Sequence, residues 1–479
     1  MQKKFFGSLL LIILLNVLVK PFYLFAIDAQ VQNTVGSEDY GIYFSLLNFS
    51  FIFNIMLDIG ITNYNTKNIA QHPNTVAKYI GSILGLRLIL GFTYFFITIG
   101  TALLLGYNDI EMKILGMLSV NQILAGLILY FRSNFAGLHW FKVDALLSVL
   151  DRFLLIIICS VLLYSSWIET PFQIEWFVYA QTLSYGVTAL FALLLTFIKI
   201  GKVKFKLNRL FNRAILKQST PYALLILLMM MYTRMDAVMI ERLLPDGKAQ
   251  AGIYAQGFRL LDVVNMFAFL IAGLLLPIFS RMIKKKEDIK SVLHSSALLL
   301  VGAALLISIS CSLFAEPLMD LIYRHNVVSS SSVFSWIILS FIPISAGHIF
   351  GTLLTANGNM RLLNQMALGG ITINLTLNFI LIPIYNAQGA AIATLFTQSI
   401  TVLVQILLVL KVFRLDVNRT HLLRLAFFGI SLLLLGYPVT TFYPNLLGLL
   451  LLVSLGVVLM FILKIIHLKA IFNLLRERI

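Results

Sequence analysis

Nine ionisable side chains interrupt otherwise apolar stretches of this sequence. Placing such a side chain at the centre of a membrane helix costs roughly 2.5–3.5 kcal/mol, so it usually faces a cavity or a partner. Ammonium and guanidinium groups bind phosphate, and the planar guanidinium can do so with two parallel hydrogen bonds. The five basic members are Lys20, Arg87, Arg152, Arg234 and Arg259. Together they predict a cationic cavity that attracts a diphosphate.

The four acidic members are Asp58, Asp151, Asp236 and Asp262. A carboxylate beside mobile cations can change its protonation between two states of a protein. We therefore expect these residues, Asp236 and Asp262 above all, to provide charge balance or coupling to a proton or sodium gradient. Arg234 and Asp236 are two residues apart and point to different faces of a helix, so neither is the other's main partner.

Packing roles are the alternative for each of these residues. An arginine near an interface can extend its head group to water. Arg259 and Asp262 are three residues apart and could neutralise each other, and Asp58 could cap a helix or turn. Asn374 and Asn378 share a helix face, where hydrogen bonds between helices are the usual role and contact with a substrate sugar is the other interpretation.

The composition is that of a membrane protein. The chain has 479 residues, of which 59% are hydrophobic and 12% charged, and its mean hydropathy is +0.93. Soluble domains carry roughly 25% charged residues. Both cysteines, Cys159 and Cys311, lie in apolar stretches, and no Walker or His-Glu-x-x-His motif occurs. Disulfides, metal sites, cofactors and ATP hydrolysis are therefore not expected.

Apolar windows predict an all-α polytopic fold with about fourteen transmembrane helices. We expect the N-terminal apolar segment to be retained as the first span, since no small-residue cleavage site precedes Asp28. The predicted spans are 6–27, 40–60, 79–105, 112–131, 145–166, 172–198, 218–240, 250–280, 291–315, 333–355, 363–383, 387–410, 423–440 and 446–466.

The basic residues predict the orientation of these spans. Most of the 36 lysines and arginines fall in alternate connecting segments, whereas the other segments hold only Lys113, Arg242, Lys248 and Arg324. Cytoplasmic segments carry such an excess of positive charge. We therefore expect both termini in the cytoplasm. The net charge of +16 reflects this topology, so nucleic acid is not an expected partner.

A short repeat predicts an internal duplication. Gly41-Ile42-Tyr43 opens the second span and Gly252-Ile253-Tyr254 opens the eighth. We expect two pseudo-symmetric six-helix lobes around a central cavity, followed by two further helices. The predicted domains are a first lobe at 1–198, a basic cytoplasmic linker at 199–217, a second lobe at 218–412, and the last two helices with the C-terminus at 413–479.

Three stretches of the sequence resemble bacterial polysaccharide flippases. They are "VGSEDYGIYFSLLNFSFIFNIMLDIGITNYNTKNIAQ" (35–71), "RMDAVMIERLLPDGKAQAGIYAQGFRLLD" (234–262) and "NGNMRLLNQMALGGITINLTLNFILIPIYNAQGAAIATLFTQ" (357–398). Taken together, in this order along a chain with fourteen predicted spans, the three stretches are similar to one branch of the multidrug/oligosaccharidyl-lipid/polysaccharide exporter superfamily. That branch is the polysaccharide transporter (O-antigen flippase, Wzx-type) family. The resemblance implies a location in the bacterial cytoplasmic (inner) membrane, alternating access, and transfer of an undecaprenyl-diphosphate-linked oligosaccharide from the cytoplasmic to the periplasmic leaflet. Membrane lipid and polysaccharide-assembly proteins are the other implied partners.

Two further transporters and one enzyme class are the alternatives. A peptidoglycan-precursor flippase or a drug exporter of the same superfamily would have the same spans, although an exporter of cations favours an acidic interior. A membrane glycan polymerase or ligase would need a substantial outer loop with catalytic residues, and the predicted outer segments are short. The sequence therefore favours a non-enzymatic transporter.

Overall fold

The chain forms helices throughout the part that the structure describes. The structure is a computed structural model that describes residues 14–16, 18–62, 65–66, 69, 76–165, 170–200, 209–416 and 419–466, and it has no strand in these ranges. A π-helical turn at Leu24–Asp28 leads into the first long helix. The helices are α1 (Ala29–Ile52), α2 (Ile55–Asp58), α3 (Val76–Leu104), α4 (Asp109–Gly137), α5 (Phe141–Tyr164), α6 (Ile174–Ile200), α7 (Arg209–Leu243), α8 (Gly247–Lys285), α9 (Lys290–Leu313), α10 (Ala315–Ile322), α11 (Val327–Ile337), α12 (Phe341–Ala356), α13 (Met360–Phe413), α14 (Arg419–Phe442) and α15 (Leu446–Ile462).

The predicted membrane class is confirmed. Eleven helices of the described ranges are long and apolar enough to cross a membrane. Two of these, Leu14–Ile52 and Met360–Phe413, are each interrupted by one residue with non-helical angles, Gly36 (φ 83°) and Asn386 (φ 53°). Each interruption divides its helix into two of the predicted spans. With the shorter apolar helix α15, the described residues account for all fourteen predicted spans.

Parts of four predicted segments lie outside the described residues. They are residues 1–13 and 17 around the first span, residue 166 at the end of the fifth span, residues 201–208 of the basic linker, and residues 417–418 and 467–479 of the C-terminal segment. Some helices end short of the predicted spans, as α15 does at Ile462 in the span predicted at 446–466, and others extend beyond them. The clearest case is the seventh span, predicted at 218–240, because its helix α7 runs from Arg209 to Leu243.

The chain divides into two compact units. The first comprises Met1–Arg242 and Asp246–Gly252, and the second comprises Leu243–Pro245 and Ile253–Ile479. This division places almost all of α7 in the first unit, whereas the repeat assigns that helix to the second lobe. The reason is local, since α7 is hydrogen-bonded to α1 through Glu241 and Arg234. The domain boundaries predicted from the repeat stay a prediction.

Each unit has an apolar core and an apolar exterior. In the first unit the core fills the space between α3, α4, α5 and α6 and includes Ile83, Phe135 and Leu147. In the second unit, α9 packs against α14 and α15 around residues such as Phe428 and Leu432. Many large apolar side chains remain exposed along the helices. Such a surface is the one that a membrane protein presents to lipid.

Candidate functional site

A cationic cluster lies in the first unit, where the chain before α1 meets α5 and α6. The Arg152 guanidinium lies over two tyrosine rings, with its Cζ 4.9 Å from the ring centre of Tyr23 and 5.7 Å from that of Tyr185. Its Nε is 3.7 Å from Oδ2 of the adjacent Asp151, and Lys20 lies within electrostatic range of both. We call these five residues the Arg152 cluster. It contains two basic side chains and one carboxylate.

The basic groups of the Arg152 cluster are available for an anion. Within the described ranges, neither Arg152 nor Lys20 donates a hydrogen bond to another residue. The Arg152 side chain is 28% exposed, so a ligand can reach it. A guanidinium with five N–H donors that holds only a loose ion pair and two ring contacts is suited to binding a phosphate.

Buried hydrogen bonds hold the aromatic wall of this cluster in place. Asp28 is buried, and it accepts hydrogen bonds from the hydroxyls of Tyr40 (2.6 Å) and Tyr23 (3.4 Å). Gln181 on α6 donates to the Tyr43 hydroxyl at 2.8 Å. Sequence reasoning missed the contribution of Asp28 because the residue lies at the boundary of the first predicted span. Its carboxylate next to the apolar run of residues 22–27 was the signal that could have identified it.

Arg234 turns toward α1 of the same unit. Its Nη1 donates to Asn48 Oδ1 at 3.4 Å, and its Cζ lies 5.4 Å from the ring centre of Phe51. About one turn back along α1 and two turns forward along α7, Ser45 Oγ donates to Glu241 Oε2 at 3.2 Å. These contacts show that α1 and α7 pack antiparallel in a fixed register. Arg234 is therefore placed between the two helices, with its side chain only partly buried.

Arg87 and Asp58 form an ion pair with each other, which the sequence did not predict. The Arg87 guanidinium also donates to the Gly126 carbonyl (3.0 Å), the Leu57 carbonyl (3.3 Å) and Thr62 Oγ1 (2.6 Å). Asp58 in turn accepts from the Thr62 amide at 3.0 Å, as expected of a capping residue. These bonds join α2, α3 and α4. The geometry favours a packing role for the pair.

The remaining predicted residues lie on α7, α8 and α13. Asp236 is buried in α7 of the first unit, whereas Arg259 and Asp262 are partly exposed on α8 in the second unit. Each of the three makes a hydrogen bond, an ion pair, a ring contact or another electrostatic interaction with a neighbouring residue. Asn374 and Asn378 are fully buried in α13, and the Asn378 amide donates to Asn374 Oδ1 at 3.2 Å. Both asparagines thus satisfy part of their hydrogen-bonding capacity within one helix.

A second charged network, absent from the sequence prediction, joins the ends of α4, α7 and α8 within the first unit. Lys248 Nζ lies 2.9 Å from Glu111 Oε1, and Arg242 Nε lies 3.3 Å from Glu241 Oε2. The Arg242 guanidinium stacks on Tyr107, with Cζ 3.6 Å from the ring centre. Burial and the Glu241 carboxylate raise the pKa of the Tyr107 phenol, which keeps it neutral. Arg242 and Lys248 belong to the predicted outer segments, so we call this the outer network.

The two repeated glycines meet beside this network. A Cβ on Gly41 would lie 1.8 Å from the carbonyl oxygen of Lys248, and a Cβ on Gly252 would lie 1.9 Å from that of Ser37. The Gln32 side chain donates to the Gly252 carbonyl at 2.8 Å. Only glycine permits two backbones to approach this closely. The repeat therefore marks a backbone contact between α1 and the beginning of α8.

Solved structures of transporters share this fold. The Lipid II flippase MurJ in an inward closed conformation matches with a TM-score of 0.71 and 14% identity, over 96% of this chain and 97% of that one. A MOP-superfamily transporter from Pyrococcus furiosus matches with a TM-score of 0.62 and 15% identity, over 85% and 94%. The Vibrio cholerae MATE transporter VcmN matches with a TM-score of 0.61 and 16% identity, over 86% and 97%. At these identities the likeness concerns the fold.

The family is established by sequence. No curated protein matched the chain. Residues 6–283, more than half of the chain, match the family described as "Polysaccharide biosynthesis protein". The match includes the first two of the three sequence stretches and confirms the resemblance to this family, and the helical fold is that of the MOP-superfamily transporters. The chain belongs to the polysaccharide biosynthesis protein family.

Proposed function

We propose that this protein is a flippase that moves an undecaprenyl-diphosphate-linked oligosaccharide from the inner to the outer leaflet of the bacterial cytoplasmic membrane. The observation that carries the proposal is the Arg152 cluster. Two basic side chains without hydrogen-bond partners in the described part of the chain lie inside an apolar helical unit, where a charge is costly unless it serves a ligand or pathway. A diphosphate would supply the missing acceptors.

The tyrosines of the cluster suit the sugar next to the diphosphate. Tyr23 and Tyr185 present ring faces beside Arg152, and phenol hydroxyls can donate to or accept from sugar hydroxyls. The polyprenyl chain would remain in the surrounding lipid. In this proposal the two lobes alternate between inward-open and outward-open states, with a proton or sodium gradient as the energy source. Asp151, beside Arg152, and Asp236 are the candidate coupling carboxylates of the first unit.

A drug exporter fits this cluster less well. A cationic drug would meet two basic groups and one carboxylate at the Arg152 cluster, and like charges repel strongly in a low dielectric. The named activity of MurJ makes a peptidoglycan precursor the second candidate substrate, because that lipid also carries a diphosphate. Both candidates use the same cationic contact, so the sugar is the feature that an assay must vary.

The test is a leaflet-exchange assay in proteoliposomes. The labelled substrate is an undecaprenyl-diphosphate oligosaccharide, supplied in parallel with a peptidoglycan precursor, with and without proton and sodium gradients. Hydrogen bonds to charged groups contribute about 1.5–3 kcal/mol, so Arg152→Gln should lower the exchange rate by about tenfold to a hundredfold, and Arg152→Lys should lower it less. Arg281→Gln removes an exposed charge at the end of α8 and should leave the rate unchanged. Folded wild-type protein that exchanges neither lipid would refute the proposal.

A further inference from the structure

A groove of about 340 Å³ lies between the two arms of α13 in the second unit. It has no assigned ligand in the function proposed above. Its walls are almost entirely apolar, and its two polar members are Gln365 and Thr401. The apolar walls include Leu362, Met366, Ile373, Ile400, Val404 and Leu408.

The groove exists because α13 folds back on itself and because two glycines leave a gap between its two arms. The reversal is at Asn386 (φ 53°), and the close approach of Gly389 to the Leu381 carbonyl makes the turn tight. Gly369 and Gly370 line the groove. A Cβ on Gly369 would meet nothing within 4 Å, so the missing side chain leaves open space. The groove opens outward, because the neighbouring side chains of Leu368 and Leu403 are 58% and 56% exposed.

The dimensions and the ends of the groove indicate a lipid chain. From Leu362 to Ile373 a helix rises about 16 Å, which is close to half of the roughly 30 Å hydrocarbon core of a bilayer. The groove therefore spans one leaflet. Both arms end on the same side, where Arg361 lies in the first turn of α13 and Lys411 in its last turn. The positive-charge pattern predicts this side to be cytoplasmic.

We propose that this groove binds the prenyl chain of a polyprenyl-diphosphate lipid in the inner leaflet, with the diphosphate at Arg361 and Lys411. The inference rests on the proposed function and adds a docking site to it. Charge complementarity selects this occupant. Arg414 follows Lys411 at the C-cap of α13, so three basic residues and one carboxylate, Asp416, lie at or next to the ends of the two arms. A diphosphate matches this charge better than a zwitterionic or singly charged phospholipid.

Photolabelling of the full chain in nanodiscs tests the site directly. The probe is undecaprenyl diphosphate with a diazirine in its prenyl chain, and the labelled peptides are identified by mass spectrometry. We expect label in residues 362–373 and 400–408. Gly369→Trp fills the groove and should lower this labelling by about tenfold, the loss expected when about two methylene groups lose their contacts. Gly273→Trp places the same side chain at another open, exposed glycine, on α8, and should not change it.

Competition and transport separate the possible outcomes. Unlabelled undecaprenyl diphosphate should displace the probe, and phosphatidylglycerol at the same concentration should not. Equal displacement by the two lipids would mean that the groove holds bulk lipid only, and it would overturn the inference. Specific labelling without leaflet exchange would support the docking site and refute the proposed transport. Wild-type exchange by Gly369→Trp together with no label in α13 would refute the docking site while the proposed transport stands.

Discussion

The ion pair between Arg87 and Asp58 allows a quantitative test of whether an intramembrane charge serves packing or substrate. Arg87→Met keeps the apolar stem and removes the guanidinium, and Asp58→Ala removes the carboxylate. Breaking a buried ion pair by removing one partner costs about 3–5 kcal/mol, because the other charge is left unpaired. The two variants should differ, since the Arg87 side chain is 2% exposed and the Asp58 side chain 30%.

Asymmetry between the two variants follows from these exposures. Arg87→Met leaves a carboxylate that water can partly solvate, so we expect a loss near the lower value, about 3 kcal/mol. Asp58→Ala leaves a buried guanidinium and also removes the acceptor of the Thr62 amide, so we expect about 5 kcal/mol. For a unit of roughly 250 residues, these losses correspond to decreases in Tm of about 6–12 °C and 10–20 °C.

A double-mutant cycle measured by thermal unfolding in detergent checks the reasoning. The double variant has no unpaired charge, so its loss should fall short of the sum of the single losses by about 2–3 kcal/mol. Arg281→Gln provides the control for loss of a basic residue at the surface. Additive losses would contradict the pairing. Unchanged Tm values combined with weaker binding of a polyprenyl diphosphate would contradict the packing role and restore Arg87 as a cavity residue.

Two further variants test the contacts around the outer network. Gly41→Ala should lower the stability of the first unit by about 1–3 kcal/mol in thermal unfolding, because its Cβ would overlap the Lys248 carbonyl oxygen. The control is Gly116→Ala, which should be neutral or stabilising because a Cβ there has nothing within 4 Å. Equal effects of the two substitutions would be inconsistent with the close contact at Gly41. Glu111→Gln keeps the capping bond to Asn108 but removes the carboxylate that Lys248 contacts, so we expect a Tm loss equivalent to about 1 kcal/mol that shrinks in high salt. A loss no larger than that of Asp109→Asn, an exposed acid in the same helical turn, would argue against the network.

Local sequence was sufficient for the helical segments of this protein. An apolar run of about twenty residues has only one way to satisfy its backbone in lipid without partners, which is a helix. Gly36 and Asn386 were not predicted as the points where two of these helices break, although each separates two predicted spans. The orientation from the positive-inside rule remains a prediction that depends on the cell rather than on the fold.

The sequence could predict which charged residues contribute to the candidate site but not which of them lie together. Lys20, Asp151 and Arg152 were singled out from the cost of intramembrane charge, but their shared cluster with Tyr23 and Tyr185 depends on how three helices pack. The same holds for Asn48 beside Arg234, since the two residues are far apart in sequence and their contact requires the register of α1 on α7.

The sequence by itself determined that this chain is a polytopic helical protein with costly basic groups in its apolar interior, because composition and hydrophobic length act locally. Tertiary structure decided the use of each group. Arg87 and Arg152 are both arginines in apolar helices. Arg87 is paired with Asp58, whereas the N–H groups of Arg152 donate no hydrogen bond to another described residue. The difference is whether a neighbouring helix supplies carboxylate and carbonyl oxygens within hydrogen-bond distance, and that depends on packing between distant segments.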